Sequence, residues 1–351
     1  MEYRYLGRTG IRVSPLCLGT MTYGSTTDSQ TAAKMVAAAV DAGVNFIDTA
    51  NIYNHGESER ITGRAIAALG PGVRERLVLA TKCHGNMFKP EHVDDPRLAR
   101  LDPNRWGNSR RQVIEQCDAS LKRLGVDYID LYQIHRPHIH CAIDETLRAL
   151  DDLVHSGKVR YIGCSTFAAW QVVESLWAAE KLGLNRFVTE QPPYNLLDRR
   201  VERELIPMAQ TYGLAVLPWS PLAGGYLTGK YRSAGQAPAQ GRYTAADAPR
   251  GRIEGLLNND RAIAAVEALV PLAQTKECSM GQFALAWLIN QPGVTSPIVG
   301  PRTPEQLAEN LGAAEITITD DDRAKVDAII APGTMVTPYY EADFGPHRHR
   351  L

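Results

Sequence analysis

Eight short runs of Val, Ile and Leu alternate along the sequence with longer segments of helical periodicity. This alternation predicts an α/β protein whose parallel strands close into a (β/α)8 barrel, the TIM barrel. Five helical segments are also followed by a glycine before the next strand, which is typical of a repeated αβ unit; these glycines are Gly43, Gly125, Gly157, Gly183 and Gly213. Since 351 residues suit one such barrel, we expect a single domain over residues 1–351.

The first element is predicted to be a β-hairpin within residues 1–13, with its turn at residues 7–10, and we expect it to cap one end of the barrel. The apolar runs predict barrel strands at 16–18, 44–47, 77–80, 128–132, 159–162, 187–188, 214–217 and 297–299. The helical periodicity predicts helices at 31–42, 59–69, 110–124, 143–156, 168–182, 201–212, 280–289 and 304–311.

Two helix starts carry their own boundary signals. Ser109 precedes the third helix as an N-cap, and Thr303, Pro304 and Glu305 combine a cap, a proline at N1 and an acidic first turn. Long irregular stretches follow strand three, at residues 84–108, and strand seven, at residues 221–259. Because barrel active sites are built at the carboxyl ends of strands, we assign both loops to the rim of a substrate and cofactor site. Residues 332–351 are predicted to form a C-terminal tail.

The composition excludes several classes of protein. Hydrophobic residues make up 44% and charged residues 22% of the chain, as in globular proteins, which argues against disorder and low complexity. Lys and Arg number 38 and Asp and Glu 39, for a net charge of −1. This balance gives no reason to expect binding to nucleic acid or to an acidic membrane. Any partner must therefore be recognised locally, and the sequence leaves homo-oligomerisation open.

The sequence also predicts a cytoplasmic protein. Its first five residues are polar where a signal peptide needs an apolar region. The most apolar stretches, residues 35–47 and 262–273, are too short and too interrupted by polar residues to span a membrane. The six cysteines are scattered without a C-x-x-C pair, which is typical of reduced thiols.

Four residues that could transfer protons follow predicted barrel strands. Asp48 and Tyr53 come after strand two, Lys82 after strand three, and His135 at the end of strand four. A phenol has a pKa near 10, but an adjacent ammonium lowers that pKa by stabilising the phenolate, and Lys82 could play this part. A buried lysine needs a carboxylate to remain charged, and Asp48 is available. His135 could hydrogen-bond and orient a substrate oxygen.

The motifs around these residues resemble the signatures of the aldo-keto reductases. The segments FIDTANIY (46–53), LATK (79–82) and DLYQIHRP (130–137) carry the resemblance at the proposed proton-transfer residues. It extends nearly end to end through YLGRTG (5–10), LGT (18–20), GCSTF (163–167), PWSPLAGG (218–225) and IVGPRT (298–303). The branch it resembles has the longer chains and includes aryl-alcohol dehydrogenases, potassium-channel β subunits and keto-sugar reductases.

The resemblance implies hydride transfer between NADP(H) and an aldehyde, ketone or keto sugar, or the corresponding alcohol. Tyr53 would be the general acid in reduction and the base in oxidation, Lys82 and Asp48 would tune it, and His135 would orient the carbonyl. No G-x-G-x-x-G follows any predicted strand, so the sequence does not support a Rossmann fold.

The resemblance also implies a set of cofactor-binding residues. Ser165, Thr166 and Gln191 would contact the nicotinamide carboxamide and Trp219 would stack on the ring; Thr166 departs from the asparagine usual in the family. Arg302, at a helix N-terminus, suits a 2′-phosphate, which favours NADP(H) over NAD(H). The remaining members of the set lie at the first strand, in the phosphate loop and its rim, and around the last helix; they are Thr20, Met21, Asp48, Ser220, Leu222, Gly224, Lys230, Arg242, Gly300, Thr303, Gln306 and Asn310.

Alternatives remain open at this point. His135, His138 and His140 lie close in sequence, but their spacing lacks the i, i+4 register of a helical metal site, so we expect no metal. One alternative function is an NADP(H)-binding regulatory subunit resembling the potassium-channel β subunits, with little turnover. Those subunits have asparagine where this chain has His135, which favours a working reductase. The carbonyl substrate and the physiological direction are not predicted.

Overall fold

Eight parallel strands form a curled sheet in a computed structural model that describes residues 1–84, 87, 104–231 and 259–336. Their bounds are β3 Cys17–Gly19, β4 Phe46–Asp48, β5 Val78–Cys83, β6 Ile129–Ile134, β7 Val159–Ser165, β8 Thr189–Gln191, β9 Ala215–Val216 and β10 Ile298–Val299. Their order in the sheet is β10-β3-β4-β5-β6-β7-β8-β9. The ring is completed where Ile298 N donates to Pro218 O at 2.8 Å and Val216 pairs with Val294. The predicted (β/α)8 barrel is confirmed.

Helices alternate with the strands around the barrel. In the described residues they are α1 Ser29–Asp41, α2 Glu57–Ala68, α3 Arg110–Leu124, α4 Ile143–His155, α5 Ala169–Leu182, α6 Leu205–Tyr212, α7 Asp260–Thr275, α8 Met280–Ile289, α9 Pro304–Gly312 and α10 Asp320–Ile329. The predicted N-caps are present, because Ser109 Oγ accepts from Gln112 N and Thr303 Oγ1 accepts from Gln306 N. The five glycines predicted to end helices all have a positive φ.

The predicted hairpin is present as β1 Arg4–Tyr5 and β2 Arg12–Val13, which pair antiparallel. Leu6, in the connection, is fully buried among barrel-interior side chains that include Phe46, Leu131 and Leu217. In the same connection Arg8 N donates to Gly213 O, two residues before β9. The hairpin therefore closes the amino-terminal end of the barrel and leaves the opposite end for the site.

The structure corrects the sixth predicted strand. The apolar run 187–188 hydrogen-bonds to both neighbouring strands, with Val188 N donating to Ile162 O and Ala215 N to Val188 O. The strand β8 itself begins two residues later and consists of the polar but buried Thr189, Glu190 and Gln191. A search for apolar runs finds only the segment before such a strand.

Three helices also differ from the prediction. The predicted helix 201–212 begins only at Leu205, because Glu204 has non-helical dihedral angles, and a 3₁₀ turn precedes it at Arg200–Glu202. Neither α7 nor α10 was predicted. The α10 helix buries only Asp322 and Val326, so its sequence carries little amphipathic signal.

Parts of the predicted loops and tail lie outside the described residues, namely 85–86, 88–103, 232–258 and 337–351. The first tail residues run beside the loop after β8, where Arg199 N donates to Thr334 O and Val336 N donates to Leu197 O, each at 2.8 Å. Among the described residues, every helix is too short or too polar to cross a bilayer.

Candidate functional site

Asp48, Tyr53, Lys82 and His135 lie together at the carboxyl ends of neighbouring strands. Asp48 ends β4, Lys82 lies near the end of β5, and His135 follows β6. The Lys82 ammonium donates to Asp48 Oδ1, to Thr49 O at 2.8 Å and to Tyr53 Oη at 3.4 Å. The rings of Tyr53 and His135 meet edge to face with centroids 5.7 Å apart. The parallel register thus brings acid, amine, phenol and imidazole to one place.

The loop after β4 holds Tyr53 in position. A 3₁₀ turn covers Tyr53–Gly56, and Asn54 and His55 have φ values of 47° and 52°. The Asn54 amide donates to Tyr23 O at 2.6 Å and to Met21 O at 3.2 Å. Left-handed backbone is uncommon outside glycine and is tolerated best by residues such as Asn, whose side chain bonds locally. This turn therefore fixes the direction of the phenol.

The second carboxylate oxygen of Asp48 is held by two amides. Gln133 Nε2 donates to Asp48 Oδ2 at 3.1 Å, and Gln191 Nε2 donates to the same atom at 3.2 Å. Gln133 was not predicted as a site residue. It lies near the end of β6, two positions before His135. Residues i and i+2 of an extended chain share a face, so the sequence indicated that Gln133 is oriented towards the site.

Burial and pairing set the charges in the site. The Lys82 side chain is 0% and Asp48 2% exposed. Burial disfavours the ammonium, but Asp48, assisted by Tyr53, outweighs this penalty and raises the pKa of Lys82. Burial lowers the pKa of His135 well below its usual range, and the nearby cations Lys82 and Arg136 lower it further. At neutral pH the site therefore contains a charged amine and a neutral imidazole.

A chain of hydrogen bonds beside this cluster was not predicted. His84 Nδ1 lies 2.8 Å from Asn108 Oδ1, and Asn108 Nδ2 donates to Arg136 O at 2.9 Å. Since the amide nitrogen is engaged with a carbonyl, the Asn108 oxygen accepts from the imidazole. Burial lowers the pKa of His84 to about 4 despite this bond. The ring of Trp106 lies 5.8 Å from that of His84, so an aromatic group borders the site.

The residues expected at the nicotinamide end lie after β7, β8 and β9. Ser165 Oγ donates to Gln191 O at 2.9 Å and is 3.2 Å from Thr166 Oγ1. Thr166 has a φ of 61°. Trp219 is anchored by its backbone, with Trp219 N donating to Pro192 O at 2.9 Å. The structure thus brings these four residues to the same end of the barrel as Tyr53.

The segment 220–230 after β9 has an unusual backbone. Ser220, Ala223, Gly224 and Gly225 all have positive φ, and a 3₁₀ helix spans Ala223–Thr228. Successive N–H groups in such turns form concave sites for anions. Lys230 packs against Gly225 at the end of the segment. Its pKa is lowered by burial and by repulsion from Arg302, so two cations converge here.

The other expected cofactor residues surround this segment or lie beside the first strand. Thr20 is fully buried and bonds to Ser58 Oγ at 2.9 Å, whereas Met21 is 40% exposed. The last group, Gly300, Thr303, Gln306 and Asn310, follows β10 or lies on α9. Gln306 Oε1 accepts from Arg302 N at 2.9 Å, so Gln306 fixes the backbone that carries the arginine. Arg242 lies outside the described residues.

The three histidines considered for metal binding, His135, His138 and His140, lie in different surroundings. The ring of His138 is tilted by 47° against that of Trp106, with centroids 4.9 Å apart, and His140 is exposed two residues further on. Within the described ranges no group of three His, Cys, Asp or Glu side chains is arranged to hold a metal ion.

Comparison with known proteins places the chain among oxidoreductases and related proteins. The model of the aldo/keto reductase family matches residues 15–331. The chain is 41% identical to the oxidoreductase YrpG of Bacillus subtilis, over 91% of this chain and 92% of the relative. It is 36% identical to a probable voltage-gated potassium channel subunit beta of Oryza sativa (97% and 100%). It is 35% identical to versiconal hemiacetal acetate reductase of Aspergillus parasiticus (92% and 95%).

Proposed function

Since the chain belongs to the aldo/keto reductase family, we propose that it transfers hydride between NADP(H) and a small carbonyl compound or its alcohol, with Tyr53 as the acid or base. The observation that carries this proposal is the contact of one buried ammonium, Lys82, with both Asp48 and the Tyr53 hydroxyl. An aldehyde, ketone or keto sugar is the substrate class.

The reaction needs one proton, and Tyr53 is the group placed to supply it. When bound, the reduced cofactor supplies hydride to the carbonyl carbon. The Tyr53 hydroxyl donates its proton to the carbonyl oxygen, which completes the alcohol. Negative charge then develops on the phenolic oxygen, 3.4 Å from Lys82 Nζ, and the ammonium stabilises it. Asp48 keeps that buried ammonium charged.

His135 complements Tyr53 as a hydrogen-bond donor. Because its pKa is well below the usual range, the imidazole is neutral and adds no charge to the site. A neutral imidazole N–H orients a carbonyl oxygen without competing as an acid. We therefore assign proton transfer to Tyr53 and orientation to His135.

The convergence of cations supports NADP(H) as the cofactor. Lys230 and Arg302 lie close enough to lower the pKa of Lys230, and in the described ranges neither forms an ion pair with a carboxylate. Two cations held together with no carboxylate paired to either among the described residues suit a phosphate group. The segment 220–225 beside them, in which Ser220, Ala223, Gly224 and Gly225 have positive φ, would offer backbone donors to further phosphates. We assign the adenosine end, including its 2′-phosphate, to Arg302 and its neighbours on α9.

The direct test is turnover. Purified protein is mixed with NADPH and an aromatic aldehyde such as 4-nitrobenzaldehyde, and the loss of absorbance of the reduced cofactor is followed with a panel of ketones and keto sugars in parallel. We expect reduction of at least one class at a rate that depends on substrate concentration. Tight cofactor binding with no turnover across the panel would instead support a binding role, like the channel subunit named for the Oryza relative.

A further inference from the structure

Arg136 follows His135 directly and lies among the residues assigned to the nicotinamide. Its Nη1 donates to His135 O at 2.7 Å and to Thr166 Oγ1 at 2.8 Å. Its Cζ lies 5.7 Å from the centre of the Trp219 ring. These contacts hold the guanidinium between the reacting centre and the turn after β7.

Hydrogen bonds to β8 hold the turn that Arg136 contacts. Glu190 Oε1 accepts from Phe167 N at 3.1 Å, and Thr166 N donates to Gln191 O at 3.2 Å. Thr166 keeps a left-handed backbone, which a β-branched residue adopts only when its surroundings impose it. The hydroxyl that fixes the guanidinium is therefore rigidly placed.

The charge of Arg136 acts at the reacting centre. The charge of Lys82 is balanced by Asp48, which it contacts directly. Burial lowers the pKa values of both His84 and His135, and Arg136 contributes further to lowering each. The buried acid Glu190 on β8 also interacts electrostatically with Arg136, and burial raises the pKa of this carboxyl to about 7. The charge of Arg136 is therefore felt on both sides of the turn.

We infer that Arg136 is a cofactor-binding residue that makes the site prefer the reduced nicotinamide to the oxidised one. The oxidised ring is a cation and the reduced ring is neutral, so a fixed guanidinium in a half-buried site repels only the oxidised form. The preference favours carbonyl reduction over alcohol oxidation. The inference rests on the proposed function, because it needs a nicotinamide beside Trp219.

The test compares binding of the two redox forms rather than activity. Dissociation constants for NADPH and NADP⁺ are measured by quenching of tryptophan fluorescence in the wild type, Arg136→Gln and Arg136→Lys. Glutamine keeps hydrogen-bond donors and removes the charge, whereas lysine keeps the charge. We expect the wild type to bind NADPH more tightly. The NADP⁺ dissociation constant divided by the NADPH dissociation constant should fall about tenfold in Arg136→Gln. In Arg136→Lys it should stay within about twofold of the wild-type ratio.

A ligand without nicotinamide provides the control. The affinity for 2′-phospho-ADP-ribose should be the same in all three proteins, and a change in it comparable to the change for NADP⁺ would contradict a local effect at the nicotinamide. Failure of the wild type to bind either dinucleotide overturns the proposed function. Equal affinities for NADPH and NADP⁺ in the wild type, or an unchanged ratio in Arg136→Gln, overturn this inference alone. The wild-type comparison decides even if a variant does not fold.

Discussion

Glu190 is a buried acid on β8 whose protonation links the stability of the barrel to pH. Its Oε2 has no hydrogen-bond partner, and burial raises its pKa from 4.5 to about 7. Between these two pH values the folded protein keeps this proton and the unfolded chain releases it. The folded state therefore binds more protons in that window, and the free energy of unfolding falls as the pH rises through it.

Glu190→Gln should remove this dependence. At pH 8 we expect the variant to have a free energy of unfolding higher than that of the wild type by roughly 1–3 kcal/mol, because it no longer buries a charge. It should therefore unfold at a higher urea concentration. The difference should disappear below about pH 5, where the wild-type acid is also neutral. Urea unfolding across this range is the measurement, with Glu174→Gln on the exposed face of α5 as the matched control. A difference that does not vary with pH would refute this role of the carboxyl.

Among single residues, those just past strand ends were predicted and those defined by contacts across strands were not. Asp48, Tyr53, Lys82 and His135 were found because each lies just past the end of a strand as predicted from the sequence and within a motif. Arg136 stands next to His135 in the sequence, but nothing there indicates that it reaches Thr166 in the turn after β7. A hydrogen bond between residues 30 positions apart leaves no local pattern.

At the level of elements, the start of α9 and the segment 220–230 determine which dinucleotide we expect to bind. Arg302→Ala should weaken NADPH binding by about tenfold or more and change NADH binding by less than about twofold, since only NADPH carries the 2′-phosphate. Equilibrium titration with each dinucleotide measures both. Lys325→Ala, which removes an exposed cation on α10, serves as the control. An equal loss of affinity for both dinucleotides would contradict the assignment of Arg302 to the 2′-phosphate.

The packing of α2 against α3 depends on a glycine. A Cβ added at Gly63 would lie 2.0 Å from Leu124 O, a backbone atom that cannot move aside. We expect Gly63→Ala to lower the free energy of unfolding by about 1–3 kcal/mol, because the helices must separate. Gly10→Ala is the control, since a Cβ there meets nothing within 4 Å. Equal stabilities of the two variants in thermal or urea unfolding would show that the helices do not meet this closely.

Elements with regular amphipathic patterns were predicted within a few residues, whereas β8, α7 and α10 were not. Both faces of β8 carry buried polar side chains, since Gln191 bonds to Asp48 and the adjacent Glu190, on the opposite face, holds the next turn. Its composition therefore follows from the site rather than from the core. Patterns of apolar residues cannot locate a strand whose buried residues are polar.

For the whole molecule, the alternation of strands and helices was sufficient to predict the barrel, and closure by β9 and β10 follows from eight repeats. We propose that the chain forms one domain. The hairpin fills the amino-terminal end, so the site residues collect at the other. The identity of the substrate was not predictable, because the rim loops that would select it carry no repeated pattern.

The central claim is that Tyr53, supported by Lys82, is the proton donor of the site. Tyr53→Phe removes one oxygen and leaves the ring against His135. Single-turnover reduction of a carbonyl substrate by prebound NADPH should slow by on the order of 10² or more, with the NADPH dissociation constant changed by less than about twofold. A variant that reduces the substrate at the wild-type rate would contradict the account.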